Sequence, residues 1–387
     1  MKFKKLALSA LTALAVGSSL LGSTAALAQD LIKIGGNYEL SGDAAAYGTP
    51  MSEATKLAIK KVNEAGGLLG QEVEYVEYNN TSDLTESASV AQRLVSEDVV
   101  GIVGPATTGD ATAQIPVIQE AGVPVVYPAT TGNDMTLDDN GDVFEYVFRV
   151  SFEDRYQGRA AAQFASRDLE ATTAAIFVDQ STDYAIGLQE AFTEEFEATG
   201  GQVVATESFQ AGDTDFTASL TSLLSQDFDV LYIPGYYTEI GLLIKQAREL
   251  GITQPIVGAD GLGNSTLVEL AGANNVNDVY YTSHFSPLSD DENLQAFLEE
   301  FKAEYGKEAD QFAVLAYDAT TILLNAIETA GSTDRDAVKD ALAATEGFEG
   351  LTGTFSIDEN HNPVKNVLML KLTNGEVESV EAVTVEE

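Results

Sequence analysis

From Leu31 onward, short apolar runs alternate with stretches whose apolar residues recur every three or four positions. Residues 31–35 read as a short strand. Residues 53–65 put Ala54, Leu57, Ala58 and Val62 on one helical face, and Gly66-Gly67 stops that helix. Residues 72–78 predict a second strand. Asp83 and Glu86 have the spacing of a capping box, ahead of a helix turning Leu84, Ala88, Ala91, Leu94 and Val95 inward. Residues 99–103 and 123–127 predict buried strands on either side of a helix over 111–121.

The rhythm resumes after Arg149. Helices over 153–167, 184–199, 216–225 and 239–250 alternate with strands over 174–179, 202–207, 230–233 and 255–258. Two longer helices, about 292–305 and 312–330, and short strands from Gly353 complete the chain. Strands separated by helices of this length imply parallel βαβ units, so the pattern predicts an α/β protein of two doubly wound lobes. No repeat of 20–50 residues is visible and no linker is long or proline-rich.

Residues 1–28 have a different character. Lys2, Lys4 and Lys5 precede an apolar run broken by Gly17, Ser18, Ser19 and Gly22, and Ala26-Leu27-Ala28 supplies a small-x-small cleavage pattern. These features predict a signal peptide cleaved after Ala28 and export to a periplasm. No later segment approaches the ~18 unbroken apolar residues of a membrane span.

Composition narrows the chemistry. The 387 residues include 61 Asp or Glu against 20 Lys or Arg, a formal charge of −41. Nucleic acid and anionic membranes are poor partners for such a surface. The acidic excess also suits solubility in high salt, where it would be screened; a generally acidic set of exported proteins is the plainer alternative. With no cysteine and two histidines, thiol chemistry is excluded and His-based metal or acid–base chemistry has little to draw on. No G-x-S-x-G elbow occurs. Gly261-Leu262-Gly263 begins a dinucleotide-like run, but Thr266 holds the third small position. Asp138, Asn140 and Asp142 open like a calcium loop, yet Val143 replaces its glycine and Arg149 its closing acid. The expectation is a binding protein without catalytic residues, metal or cofactor.

Ligands of open parallel sheets sit beyond the carboxyl ends of the strands. The first half presents Gly104-Pro105-Ala106-Thr107-Thr108-Gly109 and Pro128-Ala129-Thr130-Thr131-Gly132 there: hydroxyls and N–H groups near helix N-termini, without lysine or arginine. Such neutral donors suit a singly charged carboxylate. The second half presents residues 179–184, Pro234-Gly235-Tyr236-Tyr237 and Gly258-Ala259-Asp260-Gly261, which supply aromatic faces and one acid. Facing each other across a cleft, the two sets would hold an α-amino acid: donors for its carboxylate, Asp260 for its ammonium, tyrosines for an apolar side chain. Taken singly, each element also reads as a helix cap, a solvated turn or ordinary packing.

IKIGGNYELSGDAAAYG, KVNEAGGLLG, AQRLVSEDVVGIVGPATTG, EAGVPVVYPATT and GITQPIVGADG together resemble the periplasmic branched-chain amino-acid (Leu/Ile/Val) binding proteins, type I solute-binding proteins of ABC importers. The resemblance spans the chain beyond residue 28 and keeps the motif order. It implies two Rossmann-like lobes, residues 29–150 with 285–355 and residues 151–284 with 356–387, joined by three hinge crossings near 150–154, 284–287 and 355–362. It also implies that Thr108, Ala129 and Thr131 hold the amino-acid head, that Asp260 pairs its ammonium where the family usually has Glu, and that Tyr47, Tyr184 and Tyr236 line the side-chain pocket. Asn79-Asn80 replaces a common acidic pair, and Thr107-Thr108 stands where serine is frequent. The implied activity is capture of an aliphatic, or aromatic, L-amino acid by lobe closure and delivery to ABC permease subunits; a monomer is the default for a protein that closes around its ligand. The alternatives left open are a soluble sensory module and the same fold binding an amide or an aromatic acid. An amidase-like enzyme would need a nucleophile–base pair that the sequence lacks.

Overall fold

The computed structural model describes residues 31–383 and 385. The expected export segment, 1–28, lies outside the described residues. Five parallel strands form the first sheet: β1 (Ile32–Tyr38), β2 (Val73–Asn79), β3 (Gly101–Val103), β4 (Val125–Tyr127) and β5 (Val147–Arg149), in the order β2-β1-β3-β4-β5. Between them run α1 (Ala45–Glu64), α2 (Leu84–Ser96) and α3 (Thr108–Ala121). Asp83 caps α2 by accepting the Glu86 N–H at 2.9 Å.

The second lobe continues with α4 (Asp154–Arg167), β6 (Thr173–Asp179), α5 (Asp183–Ala198), β7 (Gln202–Phe209), α6 (Thr217–Leu223), β8 (Val230–Tyr232), α7 (Tyr237–Glu249), β9 (Ile256–Gly258), α8 (Ser265–Ala271) and β10 (Val279–Ser283). The chain then returns to the first lobe as α9 (Glu292–Tyr305), α10 (Gln311–Ala330), α11 (Arg335–Ala343) and the hairpin β11 (Phe348–Gly350) and β12 (Gly353–Phe355). α10 packs on α1 and on β3, where the absent side chain of Gly101 admits Leu323. The antiparallel strands β13 (Val367–Thr373) and β14 (Glu376–Val383) close the second sheet, ordered β14-β13-β10-β9-β8-β6-β7. The protein is α/β with two lobes, as the alternating pattern predicts.

Several elements differ from the sequence expectation. α1 begins at Ala45, well before residue 53, because Tyr47 and Met51 are buried although Gly48 and Pro50 break the helical pattern there. α3 begins at Thr108 rather than 111, which makes Thr107 its cap. The short strand β5, the strand β10 and the helices α8 and α11 carry too few periodic residues to be read from pattern alone.

The chain passes between the sheets at 150–153, 284–291 and 356–366. Both histidines lie there as packing groups. His284 stacks on Phe152 with ring centroids 3.7 Å apart, and His361 stacks on Phe148 at 4.0 Å. Burial pushes both imidazoles below their ordinary pKa, so they are neutral. Arg149, wholly buried, ties the same region together. It donates to Gly132 O at 2.8 Å, to Asn362 Oδ1 at 2.6 Å and to Glu153 Oε1 at 2.5 Å. Among the described residues no helix is long and apolar enough to cross a membrane.

Candidate functional site

In the first lobe, the loops after β3 and β4 meet at the N-terminus of α3. The Thr107 hydroxyl accepts the Asp110 N–H at 3.3 Å and donates to Asp110 Oδ2 at 2.8 Å, which caps the helix. The Thr130 hydroxyl reaches the carbonyls of Pro105 (3.2 Å) and Ala106 (3.3 Å), locking the two loops together. Thr108, Ala129 and Thr131 are buried on the resulting surface. Asn79 and Asn80 serve structure: Asn79 Oδ1 accepts the Leu40 and Thr81 N–H groups, and Asn80 Nδ2 donates to Asn37 Oδ1.

In the second lobe, Asp260 opens a 3-10 turn just after β9, Tyr184 lies in the first turn of α5, and Tyr236 immediately precedes α7, beyond β8. The Tyr184 hydroxyl donates to Asp260 Oδ1 at 2.7 Å, and Gln157 Nε2 donates to the same oxygen at 3.0 Å. The Tyr184 ring stacks on Tyr236, 4.9 Å between centroids. Tyr184 therefore serves the acidic end of the site with its hydroxyl as well as the aromatic wall with its ring.

Tyr47 reaches across from α1. Its hydroxyl donates to Gly261 O at 2.7 Å and accepts the Tyr237 N–H at 3.2 Å, while its ring lies 4.3 Å from that of Phe312. The Tyr237 hydroxyl donates to Asp43 O at 2.7 Å, and Gln311 Nε2 donates to Asp260 O. These bonds draw the lobes together. All seven residues expected from sequence (Tyr47, Thr108, Ala129, Thr131, Tyr184, Tyr236 and Asp260) line one pocket, together with Ala106, Thr107, Gly261 and Phe312, and their side chains leave it a free volume of about 10 Å³. That is room for about one water molecule, so the side chains must part to admit a ligand.

The electrostatics of the acidic end come from burial. Asp260 is 3 % exposed, and desolvation pushes its carboxyl up to about 6 against the opposing effect of the Tyr184 and Gln157 hydrogen bonds. His284 approaches with Nε2 3.9 Å from Asp260 Oδ2, but it is neutral and forms no ion pair. The amide of Gln157 also donates to Asp154 Oδ1 at 3.1 Å, and its own oxygen accepts the Thr282 hydroxyl at 2.6 Å. Asp154 Oδ2 is buried without a partner, and burial raises that carboxyl well above its ordinary range, with Asp260 adding to the effect.

Sequence reading missed Asp154, Gln157, Phe312 and Glu39. The first two share the opening turn of α4 three residues apart, a spacing that was legible but reads as an ordinary helix start. Glu39 directly follows β1 and is wholly buried, accepting N–H groups from Ala106 and Thr107. The first-lobe loops are therefore not lined by neutral donors alone. The Gly261-Leu262-Gly263 run forms a 3-10 turn with Gln311 packed against Gly263. Asp138 accepts the N–H groups of Asn140 and Asp142 within its own turn.

A family model described as "periplasmic binding protein" matches residues 31–376, and the chain belongs to that family. The chain is 29% identical over 333 residues to the leucine-, isoleucine-, valine-, threonine- and alanine-binding protein of Pseudomonas aeruginosa, covering 86% of this chain and 87% of the relative. Among solved structures it resembles the branched-chain amino acid transporter substrate binding protein LivJ from Streptococcus pneumoniae in complex with isoleucine. The identity is 39%, the TM-score 0.87, and the match covers 92% of this chain and 99% of that one. It also resembles the leucine binding protein LivK from Thermotoga maritima, at 36% identity and TM-score 0.84, covering 90% of this chain and 98% of that one.

Proposed function

We propose that this member of the periplasmic binding protein family is an exported, non-catalytic receptor that captures an aliphatic L-amino acid and delivers it, as a monomer, to the permease subunits of an ABC importer. One observation carries the reading: a buried, cation-seeking carboxylate, Asp260, shares a small cavity with the hydroxyl-bearing loop ends of the opposite lobe, and tyrosine rings lie between. Asp260 pairs the ligand ammonium, Thr108 and Thr131 receive its carboxylate, and Tyr47, Tyr236 and Phe312 enclose its side chain. The relatives named for leucine, isoleucine and valine support this chemistry. A plain anion is disfavoured, because it would meet Asp260 in a dry pocket.

The ligand binds one lobe first, and contacts from the second lobe favour the closed form. Only this difference in affinity between open and closed states shifts the population toward closure. Discrimination among leucine, isoleucine and valine rests on pocket shape, since one buried methylene is worth about 0.8 kcal/mol. The test is calorimetric titration of ligand-stripped protein, processed after Ala28, with L-isoleucine, L-leucine and L-valine. Saturable one-site binding supports the assignment; no binding of any of the three overturns it.

A further inference from the structure

The proposed carboxylate receptor rests on a carboxyl group of the chain itself. Glu39 Oε1 accepts the Ala106 and Thr107 N–H groups, each at 3.1 Å, and Oε2 shares the Ala106 N–H at 3.1 Å. These donors immediately precede Thr108, on the lining of the cavity. Glu39 is 0 % exposed, and the carboxyl beside it is that of Asp110, itself 2 % exposed. Thr107 takes Asp110 Oδ2, while Asp110 Oδ1 is buried with no other partner. One acid therefore has an oxygen to spare for a proton, and its neighbour has a buried oxygen that lacks a donor.

We propose that Glu39 and Asp110 hold one proton between them, Glu39 donating to Asp110 Oδ1, and that Glu39 is a positioning residue for the loop that receives the ligand carboxylate. The inference rests on the amino-acid reading of the site only for the ligand; the shared proton stands apart from it. Among the described residues, the groups facing the pair supply no compensating cation. Asp83 at the cap of α2 adds negative charge near Asp110, and the other neighbours are the Thr107 hydroxyl and the phenols of Tyr38 and Tyr236. Desolvation raises both carboxyls, and the Coulombic influence of Asp110 raises Glu39 further. Two full charges here would face a third from the ligand carboxylate. One shared proton removes that conflict and leaves a single charge in the first turn of α3, where the helix dipole favours it.

A consequence follows by linkage: the proton strengthens binding of a carboxylate at Thr108, and the bound carboxylate strengthens retention of the proton. Glu39→Gln mimics the protonated acid, with an oxygen for the two N–H groups and an amide donor for Asp110 Oδ1. Glu39→Ala abandons both.

The experiment is infrared spectroscopy of the purified protein across pH, for wild type, Glu39→Gln and Asp110→Asn, with no ligand needed. The expected result is a neutral carboxylic-acid carbonyl band at pH 7.5 that weakens by one group in Glu39→Gln. In Asp110→Asn, which removes the negative neighbour, the corresponding component should titrate away at lower pH than in wild type. An unchanged band in Glu39→Gln, or an unchanged titration in Asp110→Asn, overturns the shared proton. Titration with L-isoleucine reports positioning separately. Glu39→Gln should keep wild-type affinity at pH 7 and exceed wild type by on the order of tenfold at a pH where the wild-type band is lost. Glu39→Ala should be weaker at every pH. Equal affinities in all three proteins overturn the positioning role, whereas absence of binding in wild type overturns the amino-acid reading and leaves the infrared result intact.

Discussion

The Tyr184 hydroxyl donates a 2.7 Å hydrogen bond to Asp260 Oδ1, joining the first turn of α5 to the turn after β9. The second lobe thus orients its buried acid before any contact with the first, and Gln157 holds the same oxygen from α4. Such an acid is costly to ionise and gains most from an incoming cation. Asp260→Ala should weaken L-isoleucine binding by more than about tenfold, because the ammonium loses its buried counter-ion. Unchanged affinity by calorimetry would contradict the assignment of the ammonium site.

The pH dependence of that acid has two opposite signs. Asp260 is raised to about 6 in the folded protein, against roughly 3.9 unfolded. Between these values the unligated folded state holds a proton that the unfolded state has released. Its contribution to stability is therefore full below about 3.9 and lost as pH rises through about 6. Ligand affinity runs the other way, since only the ionised carboxylate pairs an ammonium, and should fall as pH drops below about 6. Titrations from pH 5 to 8 check this; an affinity independent of pH in wild type would count against it.

Tyr47→Phe removes the bond to Gly261 O and the acceptor for the Tyr237 N–H, both spanning the lobes, while keeping the ring against Phe312. A bond of this kind is worth about 1 kcal/mol. With two such bonds lost, the closed form should be weakened and ligand should dissociate on the order of thirtyfold faster, with little change in melting temperature without ligand. An unchanged dissociation rate in stopped-flow displacement would rule out this latch.

Arg149→Met should destabilise the protein by about 2–3 kcal/mol in urea unfolding, because it leaves the buried carbonyl of Gly132 and Asn362 Oδ1 without their donor, whereas Glu153 keeps Arg155. Arg149→Lys should rescue little, since one ammonium cannot reproduce the guanidinium fork. A loss below about 1 kcal/mol in Arg149→Met would show that the crossings do not depend on this residue.

The excess of 61 acidic over 20 basic side chains predicts a melting temperature that climbs with sodium chloride from 0.1 to 1 M, as the screening length falls from about 10 to about 3 Å. A flat or falling curve would mean that self-repulsion is not a major cost at low salt.

The strand-end rule made much of the site legible. Thr108, Thr131, Tyr236 and Asp260 each lie in the loop that follows an apolar strand, and a parallel sheet delivers such loops to one edge. Glu39 also follows a strand, but a lone acid after β1 reads as the point where the chain meets solvent; only the fold brings it to Ala106 and Thr107. Asp154 and Gln157 read as a helix start, and their meeting with Asp260 spans more than a hundred residues of sequence. The early turns of α1 were hidden because Gly48 and Pro50 suit a loop locally, while burial of Tyr47 and Met51 between elements overrides that preference. The return of the chain to build α9–α11 on the first lobe has no local signature; the family resemblance supplied that expectation.

The most direct test of amino-acid recognition compares melting temperatures of ligand-stripped protein with L-isoleucine, its deaminated analogue 3-methylpentanoate, L-isoleucinamide and benzoate. A compound near 100 times its dissociation constant should add about 2.7 kcal/mol. The account predicts a clear rise with L-isoleucine and little or none with 3-methylpentanoate or benzoate, because neither offers Asp260 an ammonium, and a weak response to L-isoleucinamide, which lacks the carboxylate. An equal or larger rise with 3-methylpentanoate or benzoate would contradict the roles assigned to Asp260 and the cavity.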